Sequence, residues 1–282
     1  MHQPTNHQPR LWLIAGTGDG HALALELLRR RWRLLVTVVT PEAGLAYPAR
    51  PDLELRIGAL SGAAEIRQLL DQARAAGDPF QAVVDASHPF ARQITAALAQ
   101  VWRQRGDRQG GAELPSLLRL HRPAASDPAV TRLRLLPDLE ALAALPLAGR
   151  QLLLAIGARQ LDRAVRLSPG ARHHARLLPT AAAVQRGCSA GLAAGHLAFL
   201  RPGDPLEPAV LRAPLRRWQI DTILCRQSGG STEQQWRRLA AELDLELLLL
   251  ARPAEPPGLR QLELGELLRE LEGLHPLAVP HL

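Results

Sequence analysis

Ala82-Val-Val-Asp-Ala-Ser-His-Pro-Phe-Ala-Arg92 decides how the rest of the chain is read. A short apolar run ends in Asp85. After one small residue, Ser87-His88-Pro89 opens a helical pattern with Phe90, Ile94 and Leu98 on one face, the mark of a buried strand feeding a helix. Ser87 is placed to accept hydrogen bonds from the first free amides of that helix, and Pro89 brings a pre-set φ where no amide donor is needed. Such a junction is the carboxyl end of a strand, where open α/β sheets bind ligands.

Outward from this stretch the same unit recurs. Leu11–Ala15 reads as a buried strand, Gly16-Thr-Gly-Asp-Gly20 as a turn and His21–Arg31 as a helix; strands follow at Leu34–Thr40 and Leu53–Ile57, with a loop at Pro41–Pro51 and a helix over Ile66–Ala76. Beyond the opening stretch come a helix ending near Gly106, a polar Gly/Arg loop and a strand at Leu117–Leu120. Ala124–Ala129 lacks periodicity and marks a domain boundary. The alternation then restarts: strands at Arg132–Leu136, Gln151–Ile156, His174–Leu178, Thr222–Cys225 and Leu245–Ala251, with helices at Leu139–Leu145, Arg159–Leu167, Thr180–Ala193, Pro205–Trp218 and Ser231–Leu243. Gly195–Gly203 is a loop with room for one short strand. Strands that alternate with helices form parallel sheets, because parallel neighbours need crossover connections. The expected fold is therefore α/β: two tandem Rossmann-like domains, 11–123 and 130–253, with mainly parallel sheets and a cleft between them. A disordered stretch (1–10) precedes them, and a leucine-rich docking helix with a tail (258–282) follows.

The composition, 46% hydrophobic and 22% charged, is that of a soluble globular protein, and no apolar run approaches a membrane span or a secretory signal. A cytoplasmic location is expected, with no membrane partner. Cys188 and Cys225 stand apart without metal-ligand spacing and read as small apolar residues. All 34 basic residues are arginine, which excludes Schiff-base and P-loop lysine chemistry. An arginine-biased genome accounts for that absence as readily as function does. A net charge of +7 still favours an anionic ligand. Nucleic acid is not expected, since the arginines are scattered and only 3% of residues are aromatic.

Four strand-to-helix junctions can carry chemistry. The glycines of Gly16-Thr17-Gly18-Asp19-Gly20 allow a tight turn whose amides and helix dipole favour a phosphate, although the spacing is not GxGxxG. No acidic residue follows the next strand until Glu42, which favours NADPH over NADH, with Arg50 available to its 2′-phosphate. The second junction is the opening stretch, with Asp85 structural and Ser87 and His88 as the functional candidates. The third, Ala155-Ile-Gly157-Ala-Arg159-Gln160, sets an arginine in a first helical turn, where the dipole disfavours it unless a ligand anion compensates. The fourth is Cys225-Arg226-Gln-Ser228-Gly229-Gly230-Ser-Thr-Glu-Gln234. There Ser231 and Gln234 have capping-box spacing, and Ser228-Gly229-Gly230 serves equally as an amide cradle or a plain turn. No Ser/His/Asp triad, metal-ligand cluster or carboxylate pair is found, so a cofactor is expected to supply the chemistry.

Taken together, these stretches resemble the precorrin-6A reductase family of the cobalamin pathway. The matching residues are Gly16-Thr17, Asp85-Ala-Ser-His-Pro-Phe-Ala91, Arg119 with Arg122-Pro123, Gly157 and Gln160, Arg176 and Pro179, Ser228-Gly229-Gly230, and Arg252-Pro253. The resemblance implies NADPH or NADH as cofactor, with hydride transfer to the macrocycle of precorrin-6A or its cobalt complex. It implies Gly16, Thr17, Gly18, Ser87, Ser228, Gly229 and Gly230 at the cofactor, and Arg119, Arg122, Arg159, Gln160 and Arg226 at the carboxylates of an anionic tetrapyrrole. His88 would be the proton donor, and transient contact with neighbouring pathway enzymes is compatible with this role. The chain departs from the family in having Arg226 where a lysine often precedes the Ser-Gly-Gly, and no lysine near Trp236. A non-catalytic nucleotide sensor on the same fold is the alternative, and a basic nucleic-acid-binding module a third.

Overall fold

A computed structural model describes residues 8–104, 113–125, 130–201 and 207–274. The expectations for residues 1–7, most of the Gly/Arg loop, residues 126–129 of the boundary and the tail after 274 lie outside these. The chain divides into two units, Met1–Pro123 with Pro253–Leu282, and Ala124–Arg252.

In the first unit the strands are β1 (Arg10–Ile14), β2 (Arg33–Val38), β3 (Leu53–Ile57), β4 (Ala82–Asp85) and β5 (Ser116–Leu120), and the helices are α1 (Gly18–Arg29), α2 (Pro41–Gly44), α3 (Ala63–Ala75) and α4 (Arg92–Arg103). The second unit carries β6 (Leu133–Leu136), β7 (Gln151–Ala155), α5 (Leu161–Leu167), β8 (Arg172–Leu177), α6 (Ala181–Ser189), β9 (Leu197–Phe199), α7 (Glu207–Arg217), β10 (Thr222–Arg226), α8 (Ser231–Glu242) and β11 (Glu246–Leu250). The chain then returns to the first unit with β12 (Arg260–Leu262) and α9 (Leu264–Leu274).

The sheet orders are β12-β5-β4-β1-β2-β3 and β6-β11-β10-β7-β8-β9, and every named pairing is parallel. The Rossmann-like α/β reading therefore holds for both sheets. Without their edge strands β12 and β6, the two orders are the same. In each, the chain reverses direction between two central neighbours, β1 and β4 or β7 and β10, and such a switch point leaves a crevice for ligands at the carboxyl ends of the strands.

Each sheet is buried on both faces, which is why its central strands are continuous apolar runs. Leu11, Leu13, Val36 and Val84 pack with Leu23 and Leu27 of α1 and Leu267 and Leu271 of α9. On the other face Trp12, Leu35 and Val83 meet Ile66 and Leu70 of α3 and Leu98 of α4. In the second unit Leu152, Leu154 and Leu224 pack toward α5 and α6, while Leu153, Ile223 and Leu247 pack toward α7 and α8. Among the described residues no helix is long and apolar enough to cross a membrane.

Local chemistry moved several boundaries. Helix α1 starts at Gly18 rather than His21, because the Thr17 side chain accepts the Gly20 amide and caps it. The loop expected at Pro41–Pro51 holds the short helix α2, capped by Thr40 with Pro41 in its first turn. Residues 140–144 form a 3-10 turn instead of an α-helix. The main correction concerns the opening stretch: α4 begins at Arg92, and Ser87 does not cap it. The Ser87 amide donates to Asp85 Oδ1 (2.9 Å), Phe90 N donates to His88 Nδ1 (3.1 Å) and Ala91 N to the His88 carbonyl (2.7 Å). These local bonds hold residues 86–91 as a turn against the helix.

Candidate functional site

The first group of expected residues gathers at the carboxyl ends of β1 and β4. Their register sets Ile14 beside Asp85, so the turn at Gly16–Gly18 and the turn at Ser87–His88 emerge side by side. Gly16 has φ +127°, a conformation that favours glycine, and a Cβ built on Gly16 or Gly18 meets no atom within 4 Å. Gly20 serves packing instead: a Cβ there would come within 3.1 Å of Ala15 Cβ.

Two arginines fix this pair of turns. Arg122, buried, donates to the Thr17 hydroxyl (2.9 Å), to the Ala86 carbonyl (3.1 Å) and to the Ser87 carbonyl (3.0 Å), and it pairs with Asp19. One side chain thus ties the glycine turn to the end of β4 and neutralises the carboxylate in the first turn of α1. Arg119 lies deeper, 2% exposed, between Asp85 Oδ2 (2.7 Å) and Glu255 Oε2 (2.8 Å). Asp85, fully buried, also accepts from the Thr95 hydroxyl (2.8 Å). Both arginines were expected to hold substrate carboxylates; the bonds described here commit them to shaping the turns. His88 is half-buried, its ring against Phe90. Because its Nδ1 accepts from Phe90 N, the neutral ring carries its proton on Nε2, an assignment made from the hydrogen bond.

Arg50, expected at a 2′-phosphate, precedes β3 and so lies at the amino edge of the sheet, opposite the turns. There it makes a two-pronged pair with Asp52 at 2.8 Å and 2.8 Å. That removes it from the ribose side of any nucleotide at Gly16–Gly18.

A second group forms at the ends of β7 and β10. The Arg226 guanidinium lies over Gly157 (φ +80°), 3.7 Å from where a Cβ would stand, and donates to Gln160 Oε1 (3.1 Å). Burial pulls the pKa of Arg226 down to about 10, and the neighbouring charge of Arg159 acts in the same direction. Two guanidiniums drawn together at a strand end favour an anion. Beside them, the Gly229 amide donates to Glu233 Oε2 (2.7 Å), and Glu233 Oε1 accepts from Arg237 (2.8 Å). With a buried carboxylate already on that amide, the Ser228-Gly229-Gly230 segment is built more as a turn than as an anion cradle. The cap of α8 is Gly230, one residue before the expected Ser231.

Glu255, Glu233, Asp19 and Thr95 went unread in the sequence. Glu233 had a signal: counting the capping box from Gly230 places an acid three residues on. Glu255 had none, because its partner Arg119 is distant in the chain.

A family model described as "Precorrin-6x reductase CbiJ/CobK" matches residues 10–271. A cobalt-precorrin-6A reductase of Synechocystis is 33% identical over 256 residues, spanning 88% of this chain and 90% of that protein. A precorrin-6A reductase of Mycobacterium tuberculosis is 31% identical over 251 residues, 88% and 91% of the two chains. Among solved structures, a CobK precorrin-6A reductase superposes with a TM-score of 0.72 at 25% identity, over 95% of this chain and 97% of that one.

Proposed function

The chain belongs to the precorrin-6A reductase family, and from that membership we propose that it reduces the macrocycle of precorrin-6A, or of its cobalt complex, with NADPH or NADH. The observation that carries the cofactor assignment is the turn at Gly16–Gly18. It is bare of side chains, open above both glycines, and set at the amino end of α1 at the switch point of the first sheet. A dinucleotide phosphate fits such a turn, since backbone amides and the helix dipole meet it without steric opposition. The acid in that turn, Asp19, is offset by Arg122.

Bound there, the reduced nicotinamide supplies a hydride for a ring carbon of the macrocycle. The protein's part is orientation and charge. Gly16, Thr17, Gly18 and Ser87 border the cofactor, with Arg119 and Arg122 as positioning residues behind them. Arg159, Gln160 and Arg226 hold substrate carboxylates, and Ser228–Gly230 borders Arg226. Reduction of the double bond also needs a proton, and we assign it to Nε2 of His88.

The test is direct. Mixed with precorrin-6A or its cobalt form, the protein should consume reduced nicotinamide in proportion to substrate. Binding of NADPH and NADH without oxidation in the presence of either substrate would instead make it a nucleotide sensor.

A further inference from the structure

The second sheet carries more arginine at its carboxyl edge than the two assigned so far. Its neighbouring strands β11, β10, β7 and β8 each deliver one: Arg252 two residues past β11, Arg226 ending β10, Arg159 just after β7, and Arg176 next to last in β8. Strands lie about 4.8 Å apart, so the four span roughly 14 Å along one edge. Arg252 is tied to the β10 end by its amide, which donates to Gln227 Oε1 (3.2 Å). Arg176, Arg226 and Arg252 all make other contacts in the protein. They also share a further feature: each has one buried guanidinium nitrogen, Nε, Nε and Nη2 respectively, that meets no hydrogen-bond acceptor. Buried donors of this kind are costly to leave unmet and are satisfied at low cost by an oxyanion. The described acids nearest in the chain to these strand ends are engaged elsewhere, Glu233 by Arg237 and Asp162 by Arg166.

We propose that Arg176 and Arg252 complete, with Arg226 and Arg159, a row that receives several carboxylates of one large polycarboxylate ligand. Resting on the reading above, this makes the edge a specificity determinant for the carboxylated rim of the macrocycle.

The probe is uroporphyrin III, an octacarboxylate, followed by fluorescence quenching and anisotropy, with coproporphyrin III as the tetracarboxylate comparison. The intact protein should bind uroporphyrin more tightly than coproporphyrin, with an affinity that falls as salt rises. R176Q and R252Q should each weaken uroporphyrin roughly tenfold, as expected for loss of one charge-assisted contact, and flatten the salt dependence. R176K and R252K should recover part of the loss. R172Q, at the opposite edge of β8, should bind as the unaltered protein does, and circular dichroism controls for folding. Unaltered uroporphyrin binding in both glutamine variants overturns the row. So does failure of the unaltered protein to bind either porphyrin while it still oxidises nicotinamide with precorrin-6A, a result that leaves the reductase reading standing. Porphyrin binding that follows the arginines in a protein that oxidises no nicotinamide supports the row and removes the reductase reading.

Discussion

Replacing Asp85 by Asn tests the network under the first pair of turns. The carboxylate accepts from Ser87 N, from the Thr95 hydroxyl and from Arg119, in a site where Asp85 is fully buried and Arg119 is 2% exposed. An amide has one acceptor oxygen, so whichever way it turns, its NH2 group faces another donor. Breaking a buried ion pair from one side costs about 3–5 kcal/mol. Glu255 remains on Arg119 at 2.8 Å, which places the expected cost near the lower end, about 3 kcal/mol. A chain of two units does not unfold as one two-state system, so amide hydrogen exchange resolved by strand is the suitable assay. Amides of β1, β4 and β5 should exchange roughly a hundredfold faster, at about 1.36 kcal/mol per tenfold, while β7 and β10 stay unchanged. The double variant D85N/R119M should be less destabilised than the sum of the single ones, because a neutral buried pair leaves no charge stranded. Acceleration below about fivefold in β4, or an equal effect in β10, would refute the network as a local support of this site.

Gly18→Ala should leave stability unchanged or improve it by about 0.5–1 kcal/mol in a helical first turn, yet weaken NADPH binding on titration, because the methyl enters the open space above the turn. Gly16→Ala, by contrast, should lower the melting temperature through its φ of +127°. His174 stacks on Trp218 and His196, and burial, followed by the charges of His196 and His173, lowers its pKa from 6.5 to about 4. Its neutral form is the folded one, so its contribution is complete above pH about 6.5 and fades as pH falls toward 4, by roughly 3 kcal/mol. H174Q should flatten that acid slope in urea titrations of the second unit; an unchanged slope would remove His174 as its source. Leu267→Ala, which empties a fully buried position of α9, should cost about 2–5 kcal/mol and speed exchange in β1 and β5 but not in β10.

The architecture was readable because parallel strands buried on both faces leave unbroken apolar runs, as in Leu11–Ala15 and Leu245–Ala251, and alternating helices then dictate the connections. Strand β12 was not: Arg260-Gln261-Leu262 has no apolar run, and it is a strand only because β5 offers it an open edge. The glycine turns and the arginines were legible as types, but not the arginines' partners. Arg122 meets Asp19 and Arg119 meets Glu255 across more than a hundred residues, and no local pattern carries such pairings. The opening stretch misled about its helix start because the Asp85 and His88 side chains take amides that a capping reading gives to Ser87.

The return of the chain to the first sheet has a consequence for synthesis. Everything the second unit needs, from Ala124 to Arg252, is made in one run, whereas the first unit waits for β12 and α9, about 150 residues after Pro123. At ordinary translation rates that wait is on the order of ten to thirty seconds. Through it, β5 has an unpaired edge and Leu11 and Leu13 lack the leucines of α9. The usual order in which the amino-terminal domain folds first is therefore inverted: the second unit matures while the first stands open, and newly made chains are most exposed to aggregation and chaperone capture along β5.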